Sequence, residues 1–105
     1  MTLTEFRDLL LTADPKAKRY MSLESGNFTV WSEYHERYVN ADDRIRGKIV
    51  NVQVDRYTRD EHDPVVELIT QALDEGGAAV IDRRTLFEVD SGYIHHIWDV
   101  RLEQL

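Results

Sequence analysis

The groups in this 105-residue chain that could do chemistry are its four histidines and the paired carboxylates Asp42 and Asp43. His95 and His96 are consecutive within the alternating run Tyr93 to Leu102, so on a strand they point to opposite faces and cannot share one ion in regular geometry. The alternation assigns His96 to the inner face with Ile94, Trp98, Val100 and Leu102, and His95 to the surface with Tyr93, Ile97, Asp99 and Arg101. His35 and His62 stand apart from both. Asp42 and Asp43 lie in Asn40 to Arg46, NADDRIR, where adjacent carboxylates with no neighbouring histidine are turn residues before they are metal ligands or an acid/base pair. The chain has no cysteine, which removes disulfides and thiolate metal sites. It also has no G-x-S-x-G, P-loop, H-E-x-x-H or dinucleotide fingerprint, and no internal repeat. These residues imply no catalytic set, no cofactor and no metal.

The element that organises the rest is Lys48 to Arg59, KIVNVQVDRYTR. Val50, Val52 and Val54 fall on one face and Ile49, Asn51, Gln53, Asp55 and Tyr57 on the other, the period of a strand with one buried side. At roughly 3.3 Å per residue it would reach about 40 Å, which predicts an end projecting past the domain body. Before it, Thr2 to Ala13 reads as a helix opened by a Thr2/Glu5 capping box, with Leu3, Phe6, Leu10 and Ala13 on one face. Leu9 and Leu11 broaden that apolar stripe, enough either to lie deep in the core or to meet a neighbouring subunit. Asp14-Pro15 ends the helix, since the residue before proline avoids helical geometry.

Residues 16–27 form a polar connector closed by Ser25-Gly26-Asn27, and Phe28 to about residue 36 reads as a strand. Asn40 to Arg46 is then a polar loop, joining that strand to the long one as an antiparallel hairpin. Asp63-Pro64 starts a second helix, with Val65, Leu68, Ile69, Ala72 and Leu73 on one face and Gly76-Gly77 as its stop. Asp74 and Glu75 oppose the helix dipole, so an exposed, fraying end is expected. Ala79 to Val89 and Tyr93 to Leu102 form a final hairpin, the former interrupted by a turn or bulge near Asp82-Arg83-Arg84. The fold class is α+β: two layers, a four-stranded mainly antiparallel sheet with two helices packed on it, in the order α-β-β-α-β-β.

A chain of this length makes one domain with one core. Its net charge is −7, from 20 acidic against 13 basic residues, and the bases are scattered. Tight nucleic-acid binding needs the opposite balance, whereas an acidic surface lets a polyanion slide past without sticking. No early apolar run suits a signal peptide or a membrane helix, so a soluble protein made in the cytoplasm is expected.

Several segments together carry a resemblance: Tyr34 with Glu36, the Asn40-Ala41-Asp42-Asp43 loop, Val52-Gln53-Val54-Asp55 followed by Tyr57-Thr58, the helix Pro64 to Leu73, and Asp90 through Tyr93-Ile94-His95. In this order they resemble the tail terminator, or tail completion, proteins of long-tailed (siphovirus-type) phages, such as the lambda tail terminator and its relatives. The match covers about residues 28–102. Ala78-Ala79 and the Ile94 between Tyr93 and His95 depart from the pattern. The resemblance implies a structural protein and no enzyme: a homohexameric ring that caps the tail tube, halts polymerisation of the tube protein and meets the head-tail connector. DNA passes through its lumen without specific binding. The protein would reside in the host cytoplasm during assembly and then in the virion tail.

A ring needs subunit contacts, and aromatics with a polar tip suit them. The expected interface is Trp31, Tyr34, Arg37, Tyr38 and Tyr57, with Asp42 and Asp43 as lumen charges. Two other classes compete. One is a small ferredoxin-like enzyme with His35 or His96 near a pocket, and the other an acidic regulator that binds a basic protein. A dimer would favour the enzyme, a monomer the regulator and a hexamer the terminator.

Overall fold

The computed structural model describes residues 1–104. Its elements are α1 (Leu3–Ala13), β1 (Lys18–Arg19), β2 (Phe28–Ala41), β3 (Arg44–Thr58), α2 (Pro64–Glu75), β4 (Ala79–Glu88) and β5 (Tyr93–Gln104). The strands form one five-stranded sheet in the order β1-β2-β3-β5-β4. Every pairing is antiparallel except β1 with β2, which is parallel through Lys18↔Val30 and Arg19↔Trp31. The expected four-stranded sheet therefore gains a fifth, mixed-polarity strand inside the polar connector. Two exposed polar residues carry no periodicity; what makes them a strand is the neighbouring β2 edge, extended by the bond from the Tyr20 N–H to the Trp31 carbonyl at 2.7 Å.

The helices pack side by side on the face bearing Val50, Val52 and Val54, the wall anticipated from the alternation. Phe6 and Leu10 of α1, Ile69 and Leu73 of α2, and Trp98, Val100 and Leu102 of β5 complete a fully buried core. Phe6 meets Trp31 edge to face at 5.4 Å, and the Trp98 indole N–H donates to Thr70 Oγ1 at 3.2 Å. Leu3, Leu9 and Leu11 pack partly buried against the same core, so most of the broad stripe of α1 is used within the subunit. Leu68, placed on the inner face of α2 by spacing, is instead exposed.

Both helix starts form as their residues dictate. The Thr2 side chain accepts from the Glu5 N–H while Glu5 accepts from the Thr2 N–H, and Asp63 accepts from the Val65 N–H ahead of Pro64. The end of α2 is closed by a Schellman pair, Ala78 N–H to Leu73 O at 3.0 Å and Gly77 N–H to Asp74 O at 3.2 Å, with Gly77 at φ 77°. The fraying suggested by Asp74 and Glu75 is thus countered by backbone geometry that only a residue tolerant of positive φ provides.

The largest departure from expectation lies at the β2–β3 connection. The proposed loop Asn40 to Arg46 is mostly strand: β2 and β3 stay paired out to Ala41↔Arg44, and Asp42 and Asp43 alone make the turn, at φ 54° and 61°. Two successive positive φ values define a type I′ turn, whose twist matches that of the strands it joins. β5 accompanies β3 from Thr58 to Lys48, so Arg44–Gly47 and their β2 partners project as a two-stranded arm. The 15 residues of β3 account for the molecule's long dimension in an envelope of 51 × 26 × 23 Å.

Candidate functional site

Cross-strand partners share a face, so the registers fix where each side chain points. His35 lies opposite Asn51 and Arg37 opposite Ile49, on the face away from the helices; Glu36 opposite Val50 and Tyr38 opposite Lys48 lie on the helix side. The shift of register between Glu33 and His35 leaves Tyr34 unpaired there, and its hydroxyl reaches the uncovered face to donate to Asp99 Oδ1 at 3.3 Å. Burial, then the Asp99 charge, raises the Tyr34 pKa. Tyr34 (54% exposed) and Tyr38 (52%) therefore stand on opposite faces of β2. Of the five residues expected at an interface, Tyr34, Arg37 and Tyr38 share the stretch of β2 that leads into the arm. Trp31 is only 3% exposed, buried against Phe6, and has no surface to offer a neighbour in this conformation. Tyr57 is half-buried, stacked between Phe28 at 4.8 Å and His95 at 4.1 Å. Asp42 and Asp43 are exposed at the tip.

The two histidines of β5 lie on the faces read from the alternation, but it is the outer one that is buried. His95, placed at the surface by pattern, is 8% exposed: its Nε2 lies 2.7 Å from Asp55 Oδ1 and its Nδ1 3.3 Å from Glu88 Oε1. Gln53 also donates to Asp55, at 2.8 Å. His96 is only half-buried: it lines a cleft of about 400 Å³ between the start of α2 and β4, together with Glu61, His62, Asp63, Glu67 and Arg83. Arg83 Nη2 lies 2.8 Å from His96 Nδ1; a guanidinium can only donate, so Nδ1 accepts and His96 is neutral in this arrangement. Burial, then the Arg83 charge, lowers the His96 pKa below its ordinary value.

The His95–Asp55–Glu88 cluster lies on the open sheet face, and no cleft is lined by it. A cleft of about 630 Å³ lies on the helix side between α2 and β4, lined by Glu67, Thr70, Asp74, Val80, Arg83 and Trp98. No hydroxyl or thiol nucleophile contacts His95, and among the described residues no three His, Cys, Asp or Glu side chains are placed to hold a metal ion. The cluster fixes the sheet's outer face through charge-assisted bonds. His35 is exposed on β2 and His62 is exposed beside the α2 N-cap.

A second buried network ties the layers together. Arg56 Nε donates to Asp63 Oδ2 at 2.8 Å, and its Nη1 reaches Asp14 Oδ2 at 3.4 Å and Thr29 Oγ1 at 3.3 Å. One guanidinium thus joins the end of α1, the start of α2, β2 and β3. Burial would raise the Asp63 pKa, but the Arg56 guanidinium and the Val65 N–H outweigh it and hold the carboxyl below its usual range.

What sequence reasoning missed is how exposed β4 is. It is an edge strand exposed nearly throughout, and Ile81, Leu86, Phe87 (65% exposed) and the following Val89 (81%) present large apolar side chains to solvent. The signal was adjacent apolar residues, Leu86-Phe87, which cannot both face one core from a single strand. At the opposite edge, β1 covers only Val30 and Trp31 of β2, and the rest of the β2 edge along the arm is free. Natural sheets normally shorten, charge or cover such edges. Among the described residues no helix is long and apolar enough to cross a membrane.

These features define a two-layer α+β protein with one helix-covered sheet face, one open face, a projecting arm and two uncapped edges. Its fold is similar to that of the sheath/tube terminator of an extracellular contractile injection system, PVC, solved by cryo-EM in the extended state. The TM-score is 0.51 at 11% sequence identity, over 100% of this chain and 57% of that one. The chain thus spans little more than half the length of that terminator. No family model matches the sequence, and no curated protein does.

Proposed function

We propose that this protein is a structural tail terminator, which rings the end of a tail tube, stops addition of tube subunits and offers its other side to the next component. The observation that carries the reading is the fold it shares with a sheath/tube terminator, over the whole of this chain. A further feature supports it: surface suited to self-association along the β2 and β4 edges of the sheet. The sequence resemblance points to the long-tailed, non-contractile kind and the structural neighbour belongs to a contractile system; termination of the tube is common to both. In the finer form the ring is a hexamer, its partners are the major tail tube protein and the head-tail connector, and DNA passes through without specific binding.

Electron microscopy of tails assembled with and without the protein tests this. Tails of uncontrolled length in its absence are expected; tails of normal length would overturn it. Asp42 and Asp43, exposed at the arm tip, are proposed to line the passage. Replacing both by lysine should then slow DNA ejection, because a cationic rim holds a polyanion that an acidic rim lets pass. Unchanged ejection by virions that still assemble removes the lumen assignment.

A further inference from the structure

The two free edges of the sheet are complementary in direction and in charge. β2 and β5 run one way, β3 and β4 the other, so the β4 edge of one copy placed beside the β2 edge of another continues the sheet antiparallel. On the uncovered face β4 presents Asp82 and Glu88 around Arg84, while β2 presents His35 and Arg37. On the helix side the signs reverse: β4 presents Arg83, and β2 presents Glu36, while Glu33 is taken by Arg19 within the subunit. Arg37 and Arg83 have no carboxylate within ion-pair distance among the described residues. Glu36 is held by half-buried Lys48 at 3.3 Å and by the Tyr38 hydroxyl at 3.5 Å, and Asp82 is held by half-exposed Arg84 at 3.1 Å. Pairing β4 with its own copy about the strand centre would instead set Arg83 and Arg84 against arginines, and like charges directly opposite destabilise a ladder.

The geometry points to a head-to-tail interface between copies of this chain, in which the β4 edge of one subunit pairs antiparallel with the arm strand of the next, Asp82 opposite Arg37 and Arg83 opposite Glu36. Both pairs respect the faces above, and consecutive residues on the two strands meet in one register. In this register the ladder ends near Leu86, because β1 already holds the neighbour's β2 edge at Val30 and Trp31, and Leu86 and Phe87 lose solvent to the neighbour's surface beside β1. Such an interface is heterologous, so repetition closes a ring or extends a filament. The inference rests on the terminator reading and names the surface by which that ring would close.

The chain contains no cysteine, so introduced thiols report only on this contact. Opposed residues of an antiparallel pair lie about 4.5–5.5 Å apart at Cα, within disulfide reach. Mild oxidation of the Arg37→Cys/Asp82→Cys double variant should give a ladder of reducible multimers, and a mixture of the two single variants should give heterodimers and nothing larger. Separately, Glu36→Arg and Arg83→Glu should each weaken self-association at least tenfold, and their equimolar mixture should restore it, because an alternating arrangement makes every contact attractive. Circular dichroism checks that each variant folds.

Disulfide dimers from Asp82→Cys alone would show β4 pairing with itself and overturn the inference. Rings seen by microscopy in which the double variant does not cross-link would overturn this surface and leave the terminator reading standing. Cross-linked ladders in a protein whose removal leaves tail length unchanged would keep the surface and overturn the terminator reading. A chain that neither assembles nor cross-links at millimolar concentration would overturn the inference outright.

Discussion

Replacing Arg56 by methionine should be among the most damaging single changes outside the apolar core. The guanidinium is 8% exposed, the Asp63 carboxylate 4% and that of Asp14 10%, so removing the cation leaves two nearly dehydrated carboxylates facing a thioether. Breaking a buried pair in this way costs about 3–5 kcal/mol. A domain of this size holds roughly 5–15 kcal/mol in all, and each kcal/mol is worth at least about 4 °C, so a fall in Tm of about 12 °C or more is expected. The deficit should shrink when the charges are removed together. In Arg56→Met/Asp14→Asn/Asp63→Asn, the asparagine introduced at the N-cap can still accept from the first turn of α2, and more than half of the loss should return. Urea titrations of the parent, the single variant and the triple variant at pH 7 measure this. A loss under about 1 kcal/mol for Arg56→Met, or a triple variant no more stable than the single one, would show that the cluster does not join the layers as described.

Three further outcomes follow from local geometry. A Cβ on Gly76 would lie 2.6 Å from Leu9 Cδ1 and 2.9 Å from the Ala72 carbonyl oxygen, so Gly76→Ala should cost about 1–3 kcal/mol in denaturant titrations. In a Leu9→Ala background it should cost less or stabilise slightly; strict additivity of the two changes would refute the clash. Asp42→Asn/Asp43→Gly suits the type I′ turn at φ 54° and 61°, and a gain of about 0.5–1 kcal/mol in the arm should slow amide exchange there roughly two- to fivefold, with little change in Tm. For pH, the lowered folded pKa of His96 means that the unfolded chain takes up its proton first. The stability it secures is complete above about pH 6.5 and is lost as pH falls through the folded value, with Asp63 adding a second loss below about pH 4. A stability flat from about pH 7 to 5, or a slope that His96→Gln leaves unchanged, would contradict the Arg83–His96 contact.

Local signals carried over wherever a residue's own neighbours in sequence decide its state. The Thr2/Glu5 box, the Asp63-Pro64 start, the Gly76-Gly77 stop and the valine wall of β3 depend on contacts within a turn or on strict alternation, and all stand in the structure. The interruption near Asp82 is present as a bulge between Val80 and Asp82. A projecting end was expected of the run Lys48 to Arg59, but β5 covers that run from Lys48 to Thr58, and the part that projects is the segment read as a loop. That Asp42 and Asp43 were turn residues was legible too; that the turn contained nothing else was not, because Asn40, Ile45 and Arg46 have no strong preference until β2 and β3 pair.

Tertiary structure alone decided which residues of each face are covered. Alternation gives His95 and His96 opposite faces, but their burial depends on where the helices stop and on Asp55, Tyr57 and Glu88 closing over His95 from other strands. Trp31 and Tyr57 read as interface aromatics because sequence cannot distinguish a ring buried by its own α1 from one awaiting a neighbour. Arg56 continues the parity of Val50, Val52 and Val54, a signal that the sequence reading did not use. Its partners at Asp14 and Asp63, and the open edges of β2 and β4, exist only once distant segments meet, since periodicity records which side of a strand turns inward and not what arrives there.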